Sequence, residues 1–304
     1  MSARFEMKHD NHRLNFTIPK EENEHLALVQ SNYELEANEQ LHHLNTELNK
    51  LVGVKEAKKF FFEIYALVEM RKKRQKASLP FEEQMLHMIF TGNPGTGKTT
   101  IARLAGDFFK QIGLLDKGHL IEVDRGDLVG EYIGHTAQRT KEIVKKALGG
   151  ILFIDEAYSL SRGGEKDFGK EAIDTLVKAM EDYRHEFVLI LAGYSHEMSS
   201  FLNANSGLYS RLPLQMFFPD FSITELLTIA KNLLAEKEYV ISPAATQFLK
   251  QHLLSHKHKT LGNARYIRNL IERAIRQQAV RLLKQKEIPR EELITLRRSD
   301  FQLH

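Results

Sequence analysis

The run Gly92-Asn93-Pro94-Gly95-Thr96-Gly97-Lys98-Thr99-Thr100 has the residue types and spacing to hold a polyphosphate. It fits G-x-x-x-x-G-K-[ST] and lies after an apolar stretch and before a helical pattern, the context this motif needs. Glycines let the backbone fold into a nest whose N–H groups point inward at phosphate oxygens. The helix that follows adds the positive end of its dipole. Lys98 supplies a mobile cation for the β- and γ-phosphates, and the Thr99 hydroxyl is an oxygen ligand for Mg2+. All of Gly92 to Thr100 is therefore expected to bind ATP.

A magnesium site also needs a carboxylate at the end of a neighbouring strand, and Ile151-Leu152-Phe153-Ile154-Asp155-Glu156 offers one. Four apolar residues predict a buried central strand. Asp155 emerges at its carboxyl end, where ligands of open α/β sheets bind. Asp155 is expected to hold the metal through its water shell, and Glu156 to polarise the attacking water as general base. Alone, the string reads equally well as a strand entering a polar turn; its place behind the glycine-rich loop favours the metal site.

These residues need a scaffold, and the surrounding pattern supplies it. Short apolar runs at 85–90, 120–123, 151–154, 187–191 and 214–218 alternate with helical patterns at 99–111, 137–147 and 170–182. That alternation predicts a parallel sheet of five strands with helices on both faces. Pro219-Asp220 breaks it, and helices are expected at 223–236, 243–254 and 263–284, with a short tail after Pro289. Ahead of the sheet, Leu26, Val29, Tyr33, Ala37, Leu41, Leu44, Leu48 and Leu51 predict a long amphipathic helix from Glu21. Its stripe suits packing on its own domain or on a partner. A second helix is expected at 55–76, ending in the basic run Arg71–Lys76, read as a solvated helix end. The chain thus divides into an extension (1–50), an α/β core (51–219), a helical lid (220–288) and a tail (289–304).

The chain resembles the AAA+ ATPases, most of all the CbxX/CfxQ family of sporulation proteins and red-type Rubisco activases. The resemblance runs from about Leu51 to Leu283 through GNPGTGKTT, DLVGEYIGHTAQ, GGILFIDEAYSL, LAGYSHEM, GLYSRLPL and GNARYIRNLIERA. The stretch GGEKDFGKEAIDTLVKAMED is most like the sporulation members. The resemblance implies a Mg-dependent ATPase that forms a ring of identical subunits, expected as a hexamer, and remodels a protein or peptide target.

It also implies further roles. Tyr132, Ile133 and Gly134 would form a pore loop that grips polypeptide, although without the family they read as a glycine-rich loop with a packed tyrosine. Ser161–Gly169 falls where a second pore loop lies. Arg211 is placed like an arginine finger completing a neighbour's site, the plainer reading being a surface ion pair. Arg265 resembles the lid arginine that reaches the phosphates of its own subunit. The asparagine common at the end of the fourth strand is missing; Tyr194 stands there, with Ser195 as the alternative.

Composition narrows the remaining classes. The 304 residues are 42% hydrophobic and 27% charged, an ordinary globular balance that excludes a rod, a collagen-like fibre or a disordered chain. With no cysteine there is no disulfide framework or thiolate metal site. No uninterrupted apolar stretch is long enough to span a bilayer, and the amino terminus carries no apolar signal core. A cytoplasmic protein is expected. The 43 basic and 40 acidic side chains leave a formal charge of +3, and no basic stretch is interleaved with stacking aromatics, so no nucleic-acid partner is expected. His252, His256 and His258 lack the glutamate of a zinc-binding helix motif and read as a mildly basic helix end.

Overall fold

The computed structural model describes residues 39–81, 84–132, 134–162, 168–255 and 262–301. Among them, β1 (Met88–Gly92), β2 (Leu120–Val123), β3 (Ile151–Ile154), β4 (Val188–Gly193) and β5 (Leu214–Phe218) form one parallel sheet in the order β2-β3-β4-β1-β5. The core strands are apolar on both sides because both faces are covered. Met88, Phe90, Ile151, Phe153, Val188 and Ile190 point into one apolar cluster; Ile89, Leu152, Ile154, Leu189 and Leu191, one residue out of phase, point into another. The first cluster is closed by α1 (Glu39–Asn49), α2 (Lys55–Lys76) and α3 (Lys98–Gln111). The second is closed by α4 (Arg125–Leu128), α5 (His135–Ala147), α6 (Gly169–Asp182), α7 (Ser195–Ala204) and α8 (Ser206–Tyr209).

Two strand boundaries shift from expectation. β1 begins at Met88 rather than Met85, and it runs on through Thr91 and Gly92, which pair with Phe217 and Phe218 of β5. β4 likewise continues through Ala192 to Gly193. Small residues look like turns in a pattern of side chains, but a parallel ladder is made by the backbone. Gly92 is required there, because a Cβ would lie 2.4 Å from the Phe218 carbonyl oxygen.

The expected long helix at the front is described only from Glu39; residues 21–38 lie outside the described residues. Within α1 the stripe Leu41, Leu44 and Leu48 is buried in the first cluster, so this part packs on its own domain. In α2, Phe61 meets Phe108 and Phe109 of α3 edge-on, with centroids 5.5 and 6.5 Å apart. The basic end of α2 is exposed from Lys72 to Lys76, as a solvated end should be.

Beyond Asp220 the lid contains α9 (Ile223–Ala235), α10 (Pro243–Ser255) and α11 (Asn263–Leu282). A capping box between Ser222 and Glu225 starts α9 directly after the Pro219-Asp220 break. The lid is not purely helical. Val240–Ile241 (β6) pairs in parallel with Thr295–Leu296 (β7), which follows α12 (Arg290–Ile294). The segment expected as a short tail packs into the lid core through Leu296 and Phe301. Asp300, 1% exposed, ties it down by accepting two hydrogen bonds from Arg281, at 2.8 and 3.1 Å, and one from the Arg297 backbone N–H at 2.8 Å.

Candidate functional site

Sheet order brings the carboxyl ends of β3, β4 and β1 side by side, with Thr91 opposite Gly193 and Ile154 opposite Leu191. The loops after those strands therefore open into one place. A cavity of about 340 Å³ there is lined by the glycine-rich loop, Asp155, Glu156, Tyr158, Tyr194, Ala264, Arg265 and Arg268. The sequence candidates Lys98, Thr99, Asp155, Glu156, Tyr194 and Arg265 thus converge from the α/β core and the lid.

The loop from Gly92 to Thr100 has the backbone the motif demands. Gly95 and Gly97 have φ of +72° and +97°, and Gly97 caps α3 without any side-chain acceptor for the helix amides. The first N–H groups of α3 remain available to an anion. Thr96, nearly buried, donates its hydroxyl to the Asn93 carbonyl at 2.8 Å and braces the loop. Lys98 Nζ folds back onto the carbonyls of Gly92 and Asn93 at 2.8 and 2.9 Å. Burial lowers its pKa; the nearby Asp155 and Glu156 carboxylates pull it up, and Arg265 pushes it down.

Glu156 is held in an unusual way. Its φ of +46° and ψ of 45° lie in the left-handed region, at a cost of ~1–3 kcal/mol for a non-glycine residue. The turn places its backbone N–H 3.0 Å from Asp155 Oδ1 and keeps both carboxylates in the cavity. Thr99 Oγ1 lies 3.5 Å from Glu122 Oε1 on β2. This donor set of a hydroxyl and carboxylates suits a hard divalent cation such as Mg2+, and the amides beside Lys98 suit phosphate. The residues present fit Mg-ATP.

Tyr158 was not singled out by sequence. It is 4% exposed, its hydroxyl has no protein partner, and its ring stacks on Tyr194 with centroids 5.9 Å apart. Burial, with Glu156 and Tyr194 beside it, pushes its pKa up to about 12, so the phenol stays a proton donor over the working range of pH. The Arg162 guanidinium covers the other part of the stack, 4.7 Å from the ring centroid.

A second cavity of about 270 Å³, which no sequence pattern signals, lies across the glycine loop. It is lined by the Val52-Gly53-Val54 turn, Phe218, Ile229, Leu233 and Glu236, and shares Gly95, Gly97, Thr100, Ala264 and Arg268 with the first. The visible trace was the Leu51-Val52-Gly53-Val54 break between two helices, which reads as a plain turn.

Other candidates lie outside both cavities. Arg211 donates through Nε to Glu181 Oε1 at 3.0 Å and through Nη1 to the Gly207 carbonyl at 2.6 Å. Tyr132 is 65% exposed with its ring edge-on to His135; Gly134, at φ +82°, caps α5. Ile133 and most of the second expected pore loop (163–167) lie outside the described residues, as do His256 and His258. His252 stacks on Tyr266, and its Nε2 lies 2.6 Å from the phenol oxygen. Ser195, the alternative to Tyr194, is exposed at the start of α7 and does not line the cavity. Among the described residues no helix is long and apolar enough to cross a membrane, and no group of three or more His, Cys, Asp or Glu side chains is gathered to hold a metal ion.

Comparison with known proteins agrees with this architecture. Residues 88–220 match the ATPase family associated with various cellular activities, and residues 222–304 match the AAA lid domain. Stage V sporulation protein K of Bacillus subtilis (strain 168) is 54% identical over 267 residues, covering 86% of this chain and 83% of its own. Protein CbbX of Cereibacter sphaeroides is 46% identical over 248 residues, covering 81% and 79%. The chloroplastic ribulose bisphosphate carboxylase/oxygenase activase of Cyanidioschyzon merolae is 43% identical over 256 residues, covering 83% and 87%. The Thermotoga maritima RuvB Holliday junction branch migration motor superposes with a TM-score of 0.54 at 21% identity, over 80% of this chain and 67% of that one, a likeness of fold alone. With a glycine-rich loop, paired carboxylates and an arginine of the lid around one cavity, on this sheet order, and with relatives of 43–54% identity over most of their length, the chain belongs to the AAA+ ATPases, in the family of stage V sporulation protein K and the CbxX/CfxQ proteins.

Proposed function

We propose that this ATPase is a ring-forming machine that hydrolyses Mg-ATP to remodel a protein target, with a role in sporulation and a place in the cytoplasm. The observation that carries the reading is the convergence of Lys98, Thr99, Asp155, Glu156, Tyr194 and Arg265 in one cavity. The apolar cavity beside Val52 and Leu233 suits the adenine, and the shared glycine loop would hold the phosphates between the two.

Lys98 would leave the carbonyls of Gly92 and Asn93 for the β- and γ-phosphate oxygens, exchanging neutral acceptors for charged ones. Thr99 and Asp155 would hold Mg2+, which when bound supplies positive charge against the phosphate oxygens. Glu156 takes the proton of the attacking water as its oxygen bonds to the γ-phosphorus; the bond to the β,γ-bridging oxygen breaks and ADP leaves. Arg265 and Tyr194, which line the same cavity, would contact the γ-phosphate, and Arg211 of a neighbouring subunit would complete the site. Tyr132, exposed on its loop, would grip the target together with Ile133 and Gly134.

Remodelling and sporulation rest on the relatives, of which the sporulation protein is the most similar of the three compared at 54%. The identity of 43% to a ribulose bisphosphate carboxylase/oxygenase activase supports a second reading, a remodeller of that enzyme. The Glu156→Gln variant tests the proposal. It should bind ATP, turn over at least ~100-fold more slowly, and hold its target in a stalled ring, with Tyr132→Ala in the same chain abolishing that capture. Wild-type turnover by Glu156→Gln would refute the assignment of the base.

A further inference from the structure

A polar clasp joins the phosphate loop to the lid. The Asp220 carboxylate accepts from Asn93 Nδ2 at 2.9 Å on each oxygen, and from Asn263 Nδ2 at 2.8 Å on Oδ1. Asn263 Nδ2 also lies 3.2 Å from the Pro94 carbonyl, and Asn263 Oδ1 accepts from the Phe221 backbone N–H at 3.0 Å. One residue on, the Ala264 N–H donates to the Gly95 carbonyl at 3.1 Å. Three separate places are tied together: the cradle at 93–95, the hinge where the chain leaves β5, and the first turn of α11.

The geometry at Asn263 is specific. It is 3% exposed and has φ of +48°, a left-handed conformation that asparagine tolerates better than most side chains. The two backbones it joins are already in contact, since a Cβ on Gly95 would lie 2.3 Å from the Gly262 carbonyl oxygen and 2.9 Å from Arg265 N. The cradle and the first turn of α11 therefore meet backbone to backbone, with no side chain between them. Arg265 follows Asn263 by two residues and faces the cavity from that same turn.

We propose that Asp220 and Asn263 are positioning residues that set Arg265 against the phosphates, an inference that rests on the role given to Arg265 above. Neither side chain lines the cavity, so an effect on turnover is indirect, through Arg265 or through the cradle that Asn93 ties to Asp220, and a double-mutant cycle with Arg265 separates the two routes. Phosphate entering the cradle presses on the loop that Asn93 anchors, and the clasp carries that change to the first turn of α11.

A double-mutant cycle in the full-length protein tests this, with ATPase rates, ATP affinity and thermal melting measured for Asp220→Ala, Arg265→Ala and the double variant. Asp220→Ala should lower kcat about tenfold with a melting temperature near wild type. Arg265→Ala should also lower kcat, and adding Asp220→Ala to it should do no further harm, because a misplaced arginine is of no consequence once removed. Asp220→Asn, which keeps the Oδ1 acceptor shared by both amides, should recover turnover to within about threefold of wild type. If Asp220→Ala melts below the assay temperature, Asn263→Gly, which suits the left-handed backbone, enters the same cycle in its place. Losses that multiply in the double variant, or an Asp220→Ala enzyme with wild-type kcat, would overturn the clasp and leave the role of Arg265 intact. Full turnover by Arg265→Ala would overturn both.

Discussion

Arg211→Ala and Glu156→Gln, each inactive alone, should regain turnover when mixed. Arg211 is anchored to Glu181 and the Gly207 carbonyl and lines neither cavity of its own subunit, so any γ-phosphate it serves belongs to a neighbour. An Arg211→Ala chain keeps a complete cradle and base but lends nothing to the next subunit, a loss of about 10³-fold or more. A Glu156→Gln chain is the converse: its own base is gone, a loss of ~10²–10⁴-fold, while its arginine is intact. In a randomly assembled 1:1 ring, half the sites retain Glu156 and half of those face an Arg211 donor. About one quarter of all sites are then complete, giving ~25% of the wild-type rate from parents each below ~1%. Phosphate release followed across the mixing ratio should trace a dome with its maximum at equal parts. A straight line between the two parents would refute catalysis across the subunit boundary.

Two further outcomes concern stability. His87 is fully buried, accepts the Leu189 N–H on Nδ1 at 3.0 Å, and has its pKa lowered to about 4 by burial, with His185 adding to the shift. The unfolded chain, titrating near 6.5, therefore binds the extra proton first, and stability falls as pH drops from about 6.5 towards 4, by roughly 3 kcal/mol in all. Denaturant midpoints at pH 7.5 and 5 should show that slope, and His87→Phe should flatten it. In the lid, Arg281→Met removes the cation and two of the three hydrogen bonds that hold the buried Asp300 carboxylate and should cost about 3 kcal/mol, read as a lower melting temperature. Unchanged melting would show that the ion pair does not anchor the carboxyl-terminal segment.

Much of the site was legible in the sequence because its parts are local. The cradle, Lys98 and Thr99 occupy consecutive positions, and the Asp155–Glu156 pair is signalled by the four apolar residues before it. The long helices were legible for the same reason: α2, α9 and α10 carry their periodicity within themselves. The apolar cavity was not, because it is assembled from residues near 52, 218 and 230, whose side chains are indistinguishable from core. Nor was β6-β7, since two-residue strands carry no alternation and their pairing joins segments far apart in the chain. The ion pair offered as the plainer reading of Arg211 is present, but its partner Glu181, like the stack of Tyr158 on Tyr194, comes from a distant segment, which no spacing rule reports.

The glycine loop that separates the apolar cavity from the polar one also divides two kinds of evolutionary freedom. Side chains around Val52, Ile229 and Leu233 touch one compartment, and Asp155, Glu156 and Tyr194 touch the other. With the nucleobase and the phosphates assigned as proposed, substitutions around Val52, Ile229 and Leu233 would change how tightly nucleotide is held without touching Asp155, Glu156 or Tyr194.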